Sequence, residues 1–119
     1  VLTDADIDRI VTRLVRRLSP LAVGVFGSYA TGAAKAASDL DVVIFVDVTA
    51  RAGDPRRPVV AALRGVFHPV DAHVFTPEDF EAEATQRLSF AWIIARQVQL
   101  RYVAPGVMAR LPSIAAAGA

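Results

Sequence analysis

The sequence predicts one α/β (α+β) domain, a small sheet of three to four strands flanked by helices. Segments with helical spacing of apolar residues alternate with short apolar runs bounded by Gly, Pro, Ser or Asp. At 119 residues the chain has a common single-domain size, and no repeat or internal linker divides it. Its 54% hydrophobic content is enough for a core and argues against disorder.

The elements follow in order. Thr3 caps a helix with Asp4 and Asp6 in its first turn, where the helix dipole favours acids. Ile7, Ile10, Val11, Leu14, Val15 and Leu18 keep helical spacing, Arg9, Arg13, Arg16 and Arg17 lie mainly opposite, and Ser19-Pro20 stops the helix. Leu21 to Phe26 reads as a buried strand ended by Gly27, and Tyr29 to Ala33 as one or two helical turns. Asp41 to Val46 reads as a second strand, apolar on both faces and therefore central. Asp47 to Pro58, with Gly53, Pro55, Arg51, Arg56 and Arg57, reads as an exposed loop.

Val59 to Phe67 reads as a helix with Val59, Leu63, Val66 and Phe67 inward. Val70 to Phe75 is the third strand, with Val70, Ala72 and Val74 on one face and Asp71, His73 and Phe75 on the other. Thr76-Pro77-Glu78-Asp79 starts a helix that runs to Arg87, since it offers a cap, a proline in the first turn and then acids. Ser89 to Arg96 reads as another helix, with Phe90, Trp92, Ile93 and Ile94 mostly buried. Val98, Leu100 and Tyr102 alternate with polar residues as a short terminal strand. Residues 1–103 are expected to form the domain, and 104–119 a partly disordered C-terminal extension with a frayed tail from Ser113.

With 13 basic and 12 acidic side chains the net charge is +1, so there is no strong nucleic-acid signal, although one nucleotide needs only local charge. No cysteine is present, which excludes disulfides and thiolate metal sites. No apolar run approaches the about 18 residues of a membrane span, and the acidic, amphipathic start is unlike a signal. A cytoplasmic protein is the expectation.

The chemistry centres on Val25-Phe26-Gly27-Ser28-Tyr29-Ala30-Thr31-Gly32 and Ser38-Asp39-Leu40-Asp41-Val42. Carboxylates at i and i+2 of an extended segment share a face and lie roughly 6 to 7 Å apart. At an effective dielectric of about 20, unit charges about 6 Å apart repel by roughly 3 kcal/mol. A cation between them, protonation of one, or full solvation relieves that repulsion. The glycine turn upstream offers backbone N–H groups to a phosphate. Asp39 after Ser38 also suits a turn, whereas Asp41, beside Leu40, Val42 and Val43, is poorly placed for any purely structural role. His73 suits a strand histidine bonded to a backbone carbonyl, and Phe26 and Tyr29 suit packing more than base stacking.

Gly27-Ser28, ten intervening residues, then Asp39-Leu40-Asp41 before an apolar run resembles the signature of the nucleotidyltransferase superfamily that includes DNA polymerase beta. The layout is similar to its minimal bacterial and archaeal members. The resemblance implies a nucleotidyltransferase fold with a small mixed sheet, with Asp71 in the position of a third aspartate. It implies that Gly27 and Ser28 hold a triphosphate, that Asp39, Asp41 and Asp71 bind two Mg²⁺ ions, and that Asp71 accepts the proton of the attacking hydroxyl. ATP is the implied donor and AMP the group transferred.

One departure is Thr31, where such members often carry an arginine; Lys35 is the nearby alternative cation. A domain this small leaves the acceptor surface to a partner or a homo-oligomer. The resemblance points to a HEPN-type helical partner and the antitoxin side of a toxin–antitoxin pair. The alternatives are a non-catalytic module that neutralises its partner by contact, and an aminoglycoside-type enzyme drawing on Glu78, Asp79, Glu81 and Glu83.

Overall fold

A computed structural model of the chain describes residues 1–48 and 53–117. Helix α1 spans Asp4–Leu18 and opens on a full capping box. The Asp6 N–H donates to the Thr3 hydroxyl at 3.1 Å, and the Thr3 N–H donates to the Asp6 carboxylate at 2.8 Å. The helix closes at Ser19, left-handed at φ 47°, whose N–H reaches the Val15 carbonyl.

Four strands follow: β1 (Ala22–Phe26), β2 (Leu40–Phe45), β3 (Val70–Phe75) and β4 (Gln99–Val103). They form one mixed sheet in the order β3-β2-β1-β4. β1 is antiparallel to both β2 and β4, and β2 runs parallel to β3. The β2–β3 crossover carries helix α3 (Arg56–Ala62); the short helix α2 (Ser28–Thr31) follows the glycine turn. Helices α4 (Pro77–Ala84) and α5 (Phe90–Gln97) precede β4, and a 3₁₀ turn at Val107–Arg110 and α6 (Pro112–Ala117) end the described chain.

The sheet has two buried faces. Val23, Val25, Leu40, Val42 and Ile44 pack with Ile7, Ile10, Val11 and Leu14 of α1 and with Val59 and Ala62 of α3. Ala22, Phe26, Val43 and Phe45 face α4, α5 and the C-terminal segment. Because side chains alternate along a strand, Asp41 shares the second face with Val43 and Phe45. Fully buried Phe80 meets Phe45 and Phe75 edge-on, with centroids 5.0 and 5.3 Å apart.

Several elements differ from expectation. α3 begins at Arg56, inside the expected loop, and ends at Ala62. The chain then turns at Gly65, so Phe67 leaves the helical face and is 100% exposed rather than inward. α4 stops at Ala84, short of Arg87. In α5 only Ala91, Ile94 and Ala95 are buried; Phe90 and Ile93 are 43% and 37% exposed, because one stripe of this two-turn helix meets the sheet. Trp92 lies half-buried under the Arg96 guanidinium, 3.5 Å from its ring centroid.

The expected frayed tail is instead α6, with Val107, Leu111 and Ile114 buried in the second core cluster. Glu81 fastens it by accepting from both the N–H and the hydroxyl of Ser113, at 3.1 and 2.8 Å. Arg51, placed in the exposed loop by the sequence, lies outside the described residues.

Candidate active site

β1 ends at Phe26, and its register partner on β2 is Asp41. Asp41 in turn pairs in register with Asp71 of β3. The sheet therefore sets the glycine turn, Asp41 and Asp71 side by side at one end. Gly27 has φ 70° and ψ −151°, a backbone region nearly restricted to glycine. A β-carbon there would also lie 2.2 Å from Oδ2 of Asp41. The Gly27 carbonyl accepts from the Ala30 and Thr31 N–H groups, both at 3.0 Å, which starts α2. Ser28 follows, half-buried, as the first residue of that helix.

Asp39 is exposed just before β2. Its segment is anchored on both sides: His68 Nε2 lies 2.9 Å from the Ser38 carbonyl, and the Leu40 N–H donates to the Pro69 carbonyl at 3.0 Å. His68 thus fixes the approach to Asp39. Tyr29 is a packing residue as expected; its hydroxyl accepts from the Leu2 N–H at 3.1 Å and its ring meets His68 edge-on.

Burial pushes the Asp41 carboxyl above the usual range, the Asp71 charge adds to the rise, His73 opposes it, and Asp39 adds a last increment. The sheet has gathered like charges around a half-buried carboxylate. An all-oxygen donor set of this kind suits a hard divalent cation such as Mg²⁺, which would relieve the repulsion. Among the described residues, no three His, Cys, Asp or Glu side chains converge closely enough to hold a metal as they stand. Asp71 is instead turned toward His73, its Oδ2 3.3 Å from Nε2. The donor chemistry fits a hard cation, and the register sets Asp41 and Asp71 on adjacent strands.

His73 is thus bound to a carboxylate rather than to the expected backbone carbonyl. Its ring packs 4.9 Å from Phe90 and 5.6 Å from Phe26, and those two rings meet edge-on at 5.6 Å. Phe90 therefore packs on the His73 and Phe26 rings. The sequence also gave no sign of Gln97 and Gln99. The Gly27 N–H donates to Gln97 Oε1 at 3.1 Å, and Gln99 Nε2 donates to the Ala30 carbonyl at 3.0 Å. Both span about seventy positions of chain, a distance no local pattern reports.

The other candidates lie elsewhere. Arg56 is paired with Asp54 at 3.1 Å. Thr31, at the end of α2, and Lys35, on the linker, are both exposed. Glu78 meets Arg110, Glu81 meets Ser113, and Glu83 accepts from the Ala91 N–H at 2.7 Å, so these acids brace the C-terminal half of the fold instead of an acceptor pocket.

The sheet thus aligns two aspartates beside a glycine–serine turn. Residues 7–110 match the model of the nucleotidyltransferase domain, and the chain belongs to that family. Among solved structures it resembles a toxin–antitoxin crystallised with AMP-PNP, at 14% identity and a TM-score of 0.54, over 92% of this chain and 82% of that one. It also resembles a mutant of the toxin–antitoxin MntA–HpeT in which two aspartates two positions apart are changed to glutamate. There the identity is 13% and the TM-score 0.54, again over 92% of this chain and 82% of that one. At these identities the likeness is one of fold. No curated protein matches the chain.

Proposed function

We propose that this nucleotidyltransferase domain transfers a nucleoside monophosphate, AMP from ATP, to a hydroxyl of a HEPN-type helical partner protein, as the antitoxin of a toxin–antitoxin pair. The observation that carries the proposal is the packing of Asp41 between Gly27 and Asp71, which sets a phosphate-accommodating turn against a carboxylate cluster. The neighbours support the biological setting, one as a toxin–antitoxin with AMP-PNP and one altered at two aspartates with the spacing of Asp39 and Asp41.

In this reading the backbone N–H groups at Gly27 and Ser28, with the serine hydroxyl, take the phosphate oxygens. Asp39, Asp41 and Asp71 would hold two Mg²⁺ ions, which supply charge neutralisation at the attacking and leaving oxygens. Asp71 also receives the proton of the acceptor hydroxyl. The acceptor oxygen bonds to the α-phosphorus, the bond to the bridging oxygen breaks, and pyrophosphate leaves.

The test is transfer of labelled AMP to the product of the adjacent gene, with mass spectrometry locating the adduct. Asp71→Asn should lower turnover by about a hundredfold or more, the scale of general-base loss, while partner binding persists. A wild-type protein that neutralises its partner yet leaves no nucleotide on it with any NTP would replace the enzyme by a contact-only module.

A further inference from the structure

The glycine turn and the end of α5 meet through one hydrogen bond, from the Gly27 N–H to Gln97 Oε1 at 3.1 Å. Gln99, two residues on, touches the same turn through the Ala30 carbonyl. These amides act on opposite kinds of group. Gln99 satisfies an acceptor, for which an anion has no use. Gln97 satisfies a donor, the kind of group a phosphate oxygen takes.

The backbone behind Gln97 is fixed. The Val98 N–H donates to the Ile94 carbonyl at 2.9 Å, and Val98 Cγ2 sits so close to Gly24 that a β-carbon there would lie 2.5 Å from it. The Gln97 carboxamide is the group that would have to move.

We infer that Gln97 is a latch on the phosphate-binding turn, its carboxamide oxygen standing on the Gly27 N–H that a nucleotide phosphate takes over. The inference rests on the reading of Gly27 and Ser28 as the phosphate cradle. An N–H bond to a neutral amide oxygen contributes modestly because water competes for both groups, and a bond to a charged oxygen is about twice as strong. The exchange therefore favours phosphate, and the latch lowers affinity without blocking it. It acts on ligands that carry phosphate and leaves a bare nucleoside untouched, so Gln97 is a positioning residue that sets selectivity for the phosphate chain.

The experiment is calorimetric titration of the full chain with AMP-PNP, pyrophosphate and adenosine, for wild type, Gln97→Ala and Gln97→Glu. Gln97→Ala should bind AMP-PNP and pyrophosphate about two- to tenfold tighter than wild type, the range a single neutral hydrogen bond supports, with adenosine unchanged. Gln97→Glu should bind both phosphate ligands about tenfold more weakly, since its carboxylate holds the N–H and repels the anion. A merely structural tie predicts the opposite for Gln97→Ala, weaker binding of all three ligands, and that result overturns the latch.

Amide NMR of Gly27 during pyrophosphate titration separates the latch from the cradle. A Gly27 signal that responds, together with Gln97→Ala no tighter than wild type, removes the latch and keeps the cradle. A Gly27 signal that does not respond removes both. Should Gln97→Ala fail to fold, the wild-type Gln97 side-chain amide decides: a shift on pyrophosphate addition is expected, and a static signal overturns the proposal.

Discussion

A β-carbon on Gly27 would lie 2.2 Å from Oδ2 of Asp41, so the turn and the central carboxylate are one packed unit. Gly27→Ala must therefore either move Asp41 or distort the turn, and it carries backbone strain at φ 70° as well. Chemical denaturation should show a loss of about 1–3 kcal/mol from the strained backbone alone. Nucleotide affinity should fall with it. Ser28→Ala, which keeps the backbone donors, should change stability by only about 0.5 kcal/mol.

Asp41→Asn should behave in the opposite sense without divalent cation. It removes a charge that burial, Asp71 and Asp39 all disfavour, so its thermal midpoint should equal or exceed that of wild type. Addition of Mg²⁺ and ATP should then raise the wild-type midpoint, since a ligand present at about a hundredfold its Kd stabilises by about 2.7 kcal/mol. The variant should lose most of that shift. A wild-type midpoint indifferent to millimolar Mg²⁺ and ATP would count against the carboxylates as a metal site.

The capping box gives a pH dependence with a definite sign. The Thr3 backbone and side-chain hydrogen bonds, with Arg9 beside them, hold the Asp6 carboxyl below the ordinary aspartate value. A depressed folded-state value means that the stabilisation is complete above the unfolded value and is lost as pH falls through the folded one. The stability difference between wild type and Asp6→Asn should be constant from neutral pH down to about 5 and shrink in the acid range below that. Urea melts at stepped pH read it directly.

Phe80 is fully buried and contacts Phe45 and Phe75 edge-on, which ties α4 to the sheet. Phe80→Ala should cost about 3–5 kcal/mol, a large share of the stability of a domain this size. Leu111→Ala, at a fully buried position of the C-terminal segment, should cost about 2–5 kcal/mol. Urea melts showing a negligible loss for Leu111→Ala would return residues 104–117 to the status of an appendage.

Most of the architecture was legible. The cap at Thr3, the stop at Ser19-Pro20 and the Thr76-Pro77 start act within one helical turn, so the sequence carries them in full view. The run from Asp41 to Val46 announced a strand covered on both faces, and β2 is central. Phe67 was misread because apolar periodicity continued past the point where Gly65 turns the chain out of the helix. The C-terminal segment was underread, although Val107, Leu111 and Ile114 keep spacings of four and three residues. Alanines and prolines around them dilute that pattern.

By itself the sequence determined the helices, the strands and the Asp39/Asp41 pair beside a glycine turn, because caps, steric limits on φ and side-chain periodicity act over a few residues. Only the tertiary structure decided that Asp71 stands level with Asp41, that His73 meets both Asp71 and Phe90, and that Gln97 reaches the Gly27 N–H. Those relationships depend on which strands become neighbours and in what register. Burial of both sheet faces and the parallel crossover through α3 set that register, and they involve the whole chain at once.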